Sequence, residues 1–188
     1  MNTIYFLKLN ARTNLERIAQ RKLCSEKAKK IVEMAACEFW GNNPNIIQFK
    51  KGENGKPYIK NLPDFHFNIS HSGNAVTVAI SDSEVGIDCE KLRNADLRIA
   101  KRRFTEKEYA YIIKDSSKAD LRFFEIWTKK ESFLKQNGKG ITQPLNSFDV
   151  TDDSLGKSFH TYQKDGFFIS VCTDSPNIKF TFLEIAER

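Results

Sequence analysis

Two acidic side chains separated by a single residue mark the stretch VGIDCE, residues 85–90. Apolar Ile87 and Cys89 alternate there with Asp88 and Glu90, so a β-strand would turn the apolar pair to one face and both carboxylates to the other. Like charges this close repel each other unless water surrounds them or a cation lies between them. The pair therefore fits a solvated strand end and one half of a metal site equally well.

A third carboxylate and a lysine follow in WTKKESFLK, residues 127–135. On a helix Glu131 and Lys135 would share a face, where they could form a surface ion pair worth about 0.2–0.5 kcal/mol. Bulky Trp127 and Leu134 would be buried beside them and hold the helix rigidly, as a functional site requires. Taken alone, the stretch favours the surface pair.

Hydroxyl, imidazole and backbone N–H groups are concentrated in FNISHSG, residues 67–73. Ser70 and His71 are suitable hydrogen-bond donors for a phosphate, although a polar β-turn explains the stretch equally well. A Ser–His hydrolase is disfavoured, because adjacent side chains diverge on a strand and the G-x-S-x-G motif is absent. The tripeptide GKP at 55–57 is not a Walker A loop and by itself favours a plain turn.

In combination these groups predict phosphate chemistry. Three carboxylates, two on a strand and one on a helix, suit a hard cation such as Mg²⁺, which prefers oxygen ligands and leaves positions open for phosphate. Lys135, His71 and Lys56 would supply positive charge for further phosphates. No nucleophile needs activation within such a site, so the predicted reaction is transfer from a pyrophosphate substrate.

The composition sets broad limits on function. The 188 residues carry a net charge of +6 and have a pI of about 9.1, which favours an anionic partner. An RNP-like or helix-turn-helix signature is absent, which argues against a nucleic-acid-binding protein. Four scattered cysteines, the lack of a signal peptide and the lack of an apolar run of about 18 residues predict a soluble cytoplasmic protein with no membrane span.

The elements that would position these groups follow from apolar periodicity and turn residues. Strands are predicted at 3–9, 65–70, 75–81, 85–90, 146–150, 158–163, 167–173 and 178–185. Helices are predicted at 14–39, which Asn14 could cap and which could break near Ser25, at about 105–114 with a Thr105–Glu108 capping box, and at 119–136. Each half then carries a long helix and several strands, which predicts an α+β protein of two similar, closely packed lobes, residues 1–83 and 84–188.

The order and spacing of NISHSG, VGIDCEK and WTKKES resemble those of 4′-phosphopantetheinyl transferases of the monomeric, surfactin-synthetase-activating type. The resemblance extends over roughly residues 54–150 and implies a pseudo-twofold two-lobed fold. It also implies transfer of the 4′-phosphopantetheine arm of coenzyme A to a serine of an apo acyl or peptidyl carrier protein, releasing 3′,5′-ADP. A noncatalytic module that binds coenzyme A or another nucleotide is the alternative, although all three presumed metal ligands are present.

The resemblance assigns the metal and the reacting phosphates to particular residues. It implies that Asp88, Glu90 and Glu131 hold Mg²⁺ and that Lys135 neutralises the pyrophosphate of coenzyme A. The carrier serine would attack the β-phosphate, and either Glu131 or a metal-bound water would take its proton. These roles suit a reaction in which positioning and charge neutralisation supply most of the catalysis.

The remainder of coenzyme A is assigned by the same resemblance to the first lobe. Ser70 and His71 would engage the 3′-phosphate, and Gly55, Lys56 and Pro57 would line the adenine side, with Lys56 near phosphate. Relatives of this type carry a longer first lobe with an arginine for the 3′-phosphate. The candidates for an equivalent basic residue here are Arg21, Lys22 and Lys27. All three could instead simply belong to a solvated helix face.

A basic stretch, RIAKRRFTEKEYAYI at 98–112, follows the acid pair. It could dock the acidic helix of a carrier protein, in keeping with the positive net charge. An ordinary solvated helix with Phe104, Tyr109 and Ile112 turned inward explains it equally well.

Overall fold

The structure is a computed structural model that describes residues 2–10, 17–39, 41, 43–138, 143–174 and 177–186. The helices in these ranges are α1 (Arg17–Phe39), α2 (Leu97–Arg103), α3 (Glu106–Ile113) and α4 (Ala119–Gln136). The strands are β1 (Thr3–Lys8), β2 (Phe49–Lys51), β3 (Pro57–Ile59), β4 (His66–Ser72), β5 (Ala75–Ser81), β6 (Gly86–Lys91), β7 (Ser158–Lys164), β8 (Phe167–Thr173) and β9 (Thr181–Ile185). None of the described helices is both long enough and apolar enough to cross a membrane.

Two local predictions are wrong. Helix α1 continues through Ser25 without a break, because Cys24 and Ala28 on either side belong to one continuous buried stripe. The strand expected at 146–150 does not form. Residues Leu145–Ser147 make a 3₁₀ turn, and the Leu145 and Phe148 carbonyls accept hydrogen bonds from the Lys130 ammonium instead of from a neighbouring strand. The predicted cap Asn14 lies outside the described residues.

Two sheets form the centre of the molecule, and a long helix packs on the outer face of each. The first sheet has the order β4-β5-β1-β9 and the second the order β6-β8-β7, while β2 and β3 form a separate hairpin. Helix α1 packs on β4 and β5, and α4 packs on β6 and β8. Residues alternate accordingly along β1, where Tyr5 and Leu7 contact the α1 core while Ile4 and Phe6 contact the core between the sheets. The predicted α+β class is confirmed.

Strand β9 crosses the predicted boundary between the lobes. It belongs to the C-terminal half, yet it pairs in parallel with β1, with Thr3 opposite Thr181 and Leu7 opposite Ile185. The first sheet is therefore completed by a strand from beyond the predicted boundary. The boundary between two lobes at residues 83 and 84 stays a prediction.

The two sheets meet at their edge strands, β4 and β6, through side chains. The N–H groups of Ile87, Cys89 and Lys91 donate hydrogen bonds of 3.0, 3.2 and 3.1 Å to three side chains of β4. These acceptors, spaced two residues apart on one face of β4, are Asn68 Oδ1, Ser70 Oγ and Ser72 Oγ. This side-chain seam satisfies edge N–H groups that would otherwise be unpaired.

Gly86 allows α4 to approach β6 closely. A Cβ atom at this position would overlap the carbonyl oxygen of Ser132 and the amide nitrogen of Gln136, and it would lie 2.9 Å from the Gln136 Cα. A glycine is therefore required here for close backbone approach, rather than for a bend.

Candidate active site

Strand β6 places the acid pair on the face that α4 covers. Ile87 and Cys89 are buried in the core between the sheets, and Asp88 and Glu90 point to the opposite face, as the alternation predicts. Asp88 is only 6% exposed, so it is not part of a solvated strand end. Glu90, one pleat further along the strand, is partly exposed.

Lys135 of α4 pairs with Asp88 rather than with Glu131. Its Nζ lies 2.7 Å from Asp88 Oδ1 and also donates to the Ile87 carbonyl at 3.1 Å and to Ser70 Oγ at 3.0 Å. The Ser70 hydroxyl donates to the same Asp88 oxygen at 2.9 Å. The surface ion pair between Glu131 and Lys135, which the sequence allowed, is thus replaced by contacts that join α4, β6 and β4.

Glu90 accepts hydrogen bonds from two side chains that the motifs alone do not assign to it. Ser72 Oγ donates to Glu90 Oε2 at 3.0 Å, and Arg93 Nη1 donates to the same oxygen at 3.1 Å. The Arg93 guanidinium lies 4.9 Å from the centre of the Phe124 ring. Ser72 continues the alternation of Asn68 and Ser70, which is the one sequence signal that could have identified it.

The donor set fits a divalent cation, although the ligands are not assembled around one. The second oxygen of Asp88, Oδ2, is buried and has no hydrogen-bond partner among the residues that the structure describes, an arrangement that a carboxylate normally avoids. Burial raises the pKa of Glu131, and the nearby carboxylates of Asp88 and Glu90 raise it further, while Lys135 lowers it. Three carboxylates that repel one another in this way would be stabilised by a hard cation. As placed, no group of three acidic, histidine or cysteine side chains in the described ranges forms a ready metal site.

Ser70 and His71 lie in a cleft of about 320 Å³ with the acid pair and Lys135. Burial lowers the pKa of His71, and the positive charges of Lys135 and Arg21 lower it further. Arg21 therefore lies within electrostatic reach of the cleft, and Ser25, one turn further along α1, lines it. Of the other basic candidates, Lys22 is exposed and Lys27 lines a separate groove beside Leu183.

The GKP tripeptide lies outside this cleft. Lys56 and Pro57 line a second cavity of about 380 Å³, together with His66 and Glu84. Gly55 has a φ of +83° in the tight turn before β3, a conformation that favours glycine. The Lys56 ammonium is bound to Glu84 rather than exposed to the cleft.

A buried ion pair supports the helix that carries Glu131 and Lys135. Lys130 Nζ lies 2.8 Å from Glu108 Oε1, and both side chains are fully buried. The other Glu108 oxygen accepts the N–H of Thr105 in the predicted capping box, which the structure confirms. Burial lowers the pKa of Lys130, whereas the hydrogen bond with Glu108 raises it. The capping box predicts the contact of Glu108 with Thr105, but nothing in the sequence indicates its pairing with Lys130, since a charged residue next to Glu131 gives no sign of burial.

Beside Glu131 lies a larger groove between α2 and α4, with a volume of about 740 Å³. Its apolar lining includes Ile99, Trp127 and Leu134. Three arginines of α2 also line it, namely Arg98, Arg102 and Arg103. The stretch 98–112 forms two helices, α2 and α3, rather than one.

The chain is similar to one family over residues 12–181. Residues 84–181 match the model of the 4′-phosphopantetheinyl transferase superfamily, and residues 12–83 match a model described as 4′-phosphopantetheinyl transferase, N-terminal. The 4′-phosphopantetheinyl transferase gsp of Aneurinibacillus migulanus is 46% identical over 161 residues, which are 77% of this chain and 67% of the relative. The transferase Sfp of Bacillus subtilis (strain 168) is 41% identical over 145 residues, 70% of this chain and 65% of the relative.

Coverage of the relatives is incomplete in several cases. The chain spans 54% of one Bacillus subtilis transferase and 72% of another, named ffp, to which it is 36% identical. The residues matched by the two family models, 12–83 and 84–181, nevertheless include every residue of the cleft. On these matches, the chain belongs to the 4′-phosphopantetheinyl transferase family.

Proposed function

We propose that this protein transfers the 4′-phosphopantetheine arm of coenzyme A to a serine hydroxyl of an apo acyl or peptidyl carrier protein. The observation that carries the proposal is the convergence of Lys135 and Ser70 on Asp88, whose second oxygen is buried without a partner. A cation and a pyrophosphate would together satisfy this group of charges, which is otherwise incompletely paired. The family relationship supports the same reaction.

Asp88, Glu90 and Glu131 would hold Mg²⁺. The chemistry supplied by the bound ion is shielding of the pyrophosphate charge. Lys135 lies in the cleft within 3.0 Å of Ser70, where its ammonium can contact phosphate oxygens and neutralise the charge that develops on the leaving group. Ser72 and Arg93 would orient Glu90 through one of its oxygens and leave the other available.

The reaction breaks the bond between the β-phosphorus and the oxygen that bridges it to the α-phosphorus. The carrier serine oxygen forms the new bond to the β-phosphorus, and 3′,5′-ADP leaves with the bridging oxygen. The Glu131 carboxylate is one acceptor for the serine proton, since burial and its acidic neighbours raise its pKa. Water is the alternative acceptor.

The 3′-phosphate of coenzyme A would bind Ser70 and His71 at the first-lobe side of the cleft. Arg21 is the basic residue of α1 that we assign to this phosphate, because it acts electrostatically on His71. The adenine would lie toward the turn at Gly55 and Pro57.

The groove between α2 and α4 is the surface that we assign to the carrier protein. Its apolar lining and its three arginines suit an acidic amphipathic helix, and the groove includes Glu131, beside which the carrier serine must arrive.

Both lobes contribute to the cleft, so we propose that a monomer is active. The four cysteines are free thiols, which favours the reducing cytoplasm.

Intact-mass measurement of an apo carrier protein after incubation with coenzyme A and Mg²⁺ tests the proposal. We expect a mass gain equal to the phosphopantetheinyl arm, and we expect its loss when Mg²⁺ is omitted or when Asp88→Ala or Glu131→Ala replaces the parent chain. Lys118→Ala, on an exposed turn before α4, is the control and should retain the parent rate. If coenzyme A binds but no carrier of several classes gains mass, the chain is a noncatalytic binding module.

A further inference from the structure

The Lys56 ammonium uses all three of its hydrogen-bond donors within the protein. Lys56 Nζ lies 2.5 Å from Glu84 Oε2, 2.9 Å from the Gln136 carbonyl oxygen and 3.2 Å from the Val85 carbonyl oxygen. An ammonium group has three N–H donors, and in Lys56 each of them is directed at a protein acceptor. The side chain is 21% exposed.

The three acceptors belong to parts of the chain that are distant in sequence. Lys56 itself follows the turn between β2 and β3, Glu84 and Val85 lie in the link between β5 and β6, and Gln136 is the last residue of α4. Close to the Lys56 stem lies Gly138, the residue with φ of +66° that follows the helix, where an added Cβ would be 3.8 Å from Lys56 Cδ. The lysine therefore joins the first lobe to the C-terminal end of α4.

Lys56 contacts the C-terminal end of α4, which β6 and Asp174 also contact. Gly86 brings β6 against the backbone of Ser132 and Gln136, and Gln136 Nε2 donates to Asp174 at 2.9 Å. A cation at a helix C-terminus also interacts favourably with the unpaired carbonyls and the helix dipole. The residue immediately before Gln136 is Lys135, whose ammonium lies 2.7 Å from Asp88.

We propose that Lys56 is a positioning residue, which fixes the last turn of α4 so that Lys135 is held against Asp88 and the pyrophosphate site. This role rests on the proposed transferase function, and it differs from the direct phosphate contact that the family resemblance implies for Lys56. The two roles make opposite demands on kinetics, because a phosphate contact acts on substrate binding whereas a displaced Lys135 acts on the transition state.

The first experiment compares Lys56→Met with Lys51→Met in steady-state transfer assays. Methionine keeps most of the stem and removes the ammonium, and Lys51 is an exposed lysine of the same hairpin, with no site role, that serves as the matched control. For Lys56→Met we expect kcat to fall about tenfold while the KM for coenzyme A changes less than about twofold. A raised KM with an unchanged kcat would show a direct phosphate contact and overturn the proposal.

A second comparison tests whether the Glu84 carboxylate helps to hold the Lys56 ammonium in place. Lys56 donates directly to the Gln136 carbonyl oxygen, and the Glu84 carboxylate holds the same ammonium, so Glu84→Gln should reduce kcat less than Lys56→Met does. The double variant should be no slower than Lys56→Met alone, since both changes remove one arrangement. Strictly additive losses would mean that the two residues act independently and would count against the proposal.

Hydrogen exchange provides a readout that does not depend on transfer. In Lys56→Met, amides at the C-terminal end of α4 and in the two residues after it, residues 132–138, should exchange faster than in the parent chain. Amides of α1 in this variant, and all amides of the Lys51→Met control, should exchange as in the parent chain. Unchanged exchange at 132–138 would overturn the proposal even if the parent chain is an active transferase. If exchange is faster but the parent chain transfers nothing, the positioning of α4 by Lys56 is supported and the proposed function is rejected instead.

Discussion

The imidazole of His71 lies among positive charges in a cleft that we assign to phosphates. Burial lowers its pKa from the usual value, and Lys135 and Arg21 act in the same direction. The side chain is therefore neutral at pH 7 in the free protein and gains a proton only at lower pH. A bound phosphate would reverse the local charge and favour the imidazolium.

This residue therefore makes the affinity for coenzyme A depend on pH. A phosphate that raises the His71 pKa makes binding take up a proton, so affinity should increase between about pH 8 and pH 6, by at most about tenfold per unit. Calorimetric titration of coenzyme A into the parent chain and into His71→Gln at several pH values measures the pH dependence of the affinity in each protein. Comparing the two cancels the contribution of protons that coenzyme A itself gains or loses. The same pH slope in both proteins would exclude His71 from the phosphate site.

At the scale of elements, α4 depends on one glycine beneath it. Gly86→Ala would place a Cβ into the backbone of Ser132 and Gln136, which cannot move without displacing the helix, so we expect a loss of about 3 kcal/mol or more in the free energy of unfolding. Gly52→Ala is the control, since its Cβ would lie 3.6 Å from the Lys56 carbonyl oxygen, and it should cost less than about 1 kcal/mol. Urea unfolding of both variants checks this, and equal losses would contradict the close approach.

The same helix depends on its buried ion pair. Lys130→Met leaves the Glu108 carboxylate buried without its cation and leaves the Leu145 and Phe148 carbonyls without a donor, so we expect a loss of about 3–5 kcal/mol. Lys129→Met is the matched control, because its pair with Glu125 is partly exposed, and it should cost about 1 kcal/mol or less. Urea midpoints and slopes measure both. A small loss at Lys130 would mean that the pair contributes little to holding α4.

At the scale of the whole molecule, the parts of the chain before and after the predicted boundary at residues 83 and 84 share a core and a sheet. The core between the sheets takes Ile4 and Phe6 from β1, Ile87 from β6 and Phe167 from β8, and β9 completes the first sheet from the far end of the chain. The side-chain seam between β4 and β6 adds hydrogen bonds across the same boundary.

Unfolding should accordingly be a single cooperative transition. Separate lobes would unfold at different urea concentrations, whereas a shared core and a crossing strand make partial unfolding costly. We expect the far-ultraviolet circular dichroism and the tryptophan fluorescence to give the same midpoint. Two resolved transitions would show that the lobes are independent despite the shared sheet.

The sequence by itself determined which face of each element is apolar and which groups could do chemistry. The alternation in VGIDCE separates Ile87 and Cys89 from the acid pair, and the Thr105–Glu108 capping box starts α3 as expected, because both depend only on neighbours within one strand or one turn. The spacing of motifs over residues 54–150 also indicated the family.

Only the tertiary structure decided which partner each polar group finds. Lys135 pairs with Asp88 instead of Glu131, Lys130 is buried with Glu108, and Lys56 binds the end of α4 instead of facing the cleft. Helix α4 covers Asp88, which is therefore not part of a solvated strand end, whereas Glu90 stays partly exposed. These pairings depend on which elements pack against each other, although the elements are tens of residues apart in the sequence. The strength of a charge pair depends on the distance between its two groups, and periodicity within one element does not specify that distance.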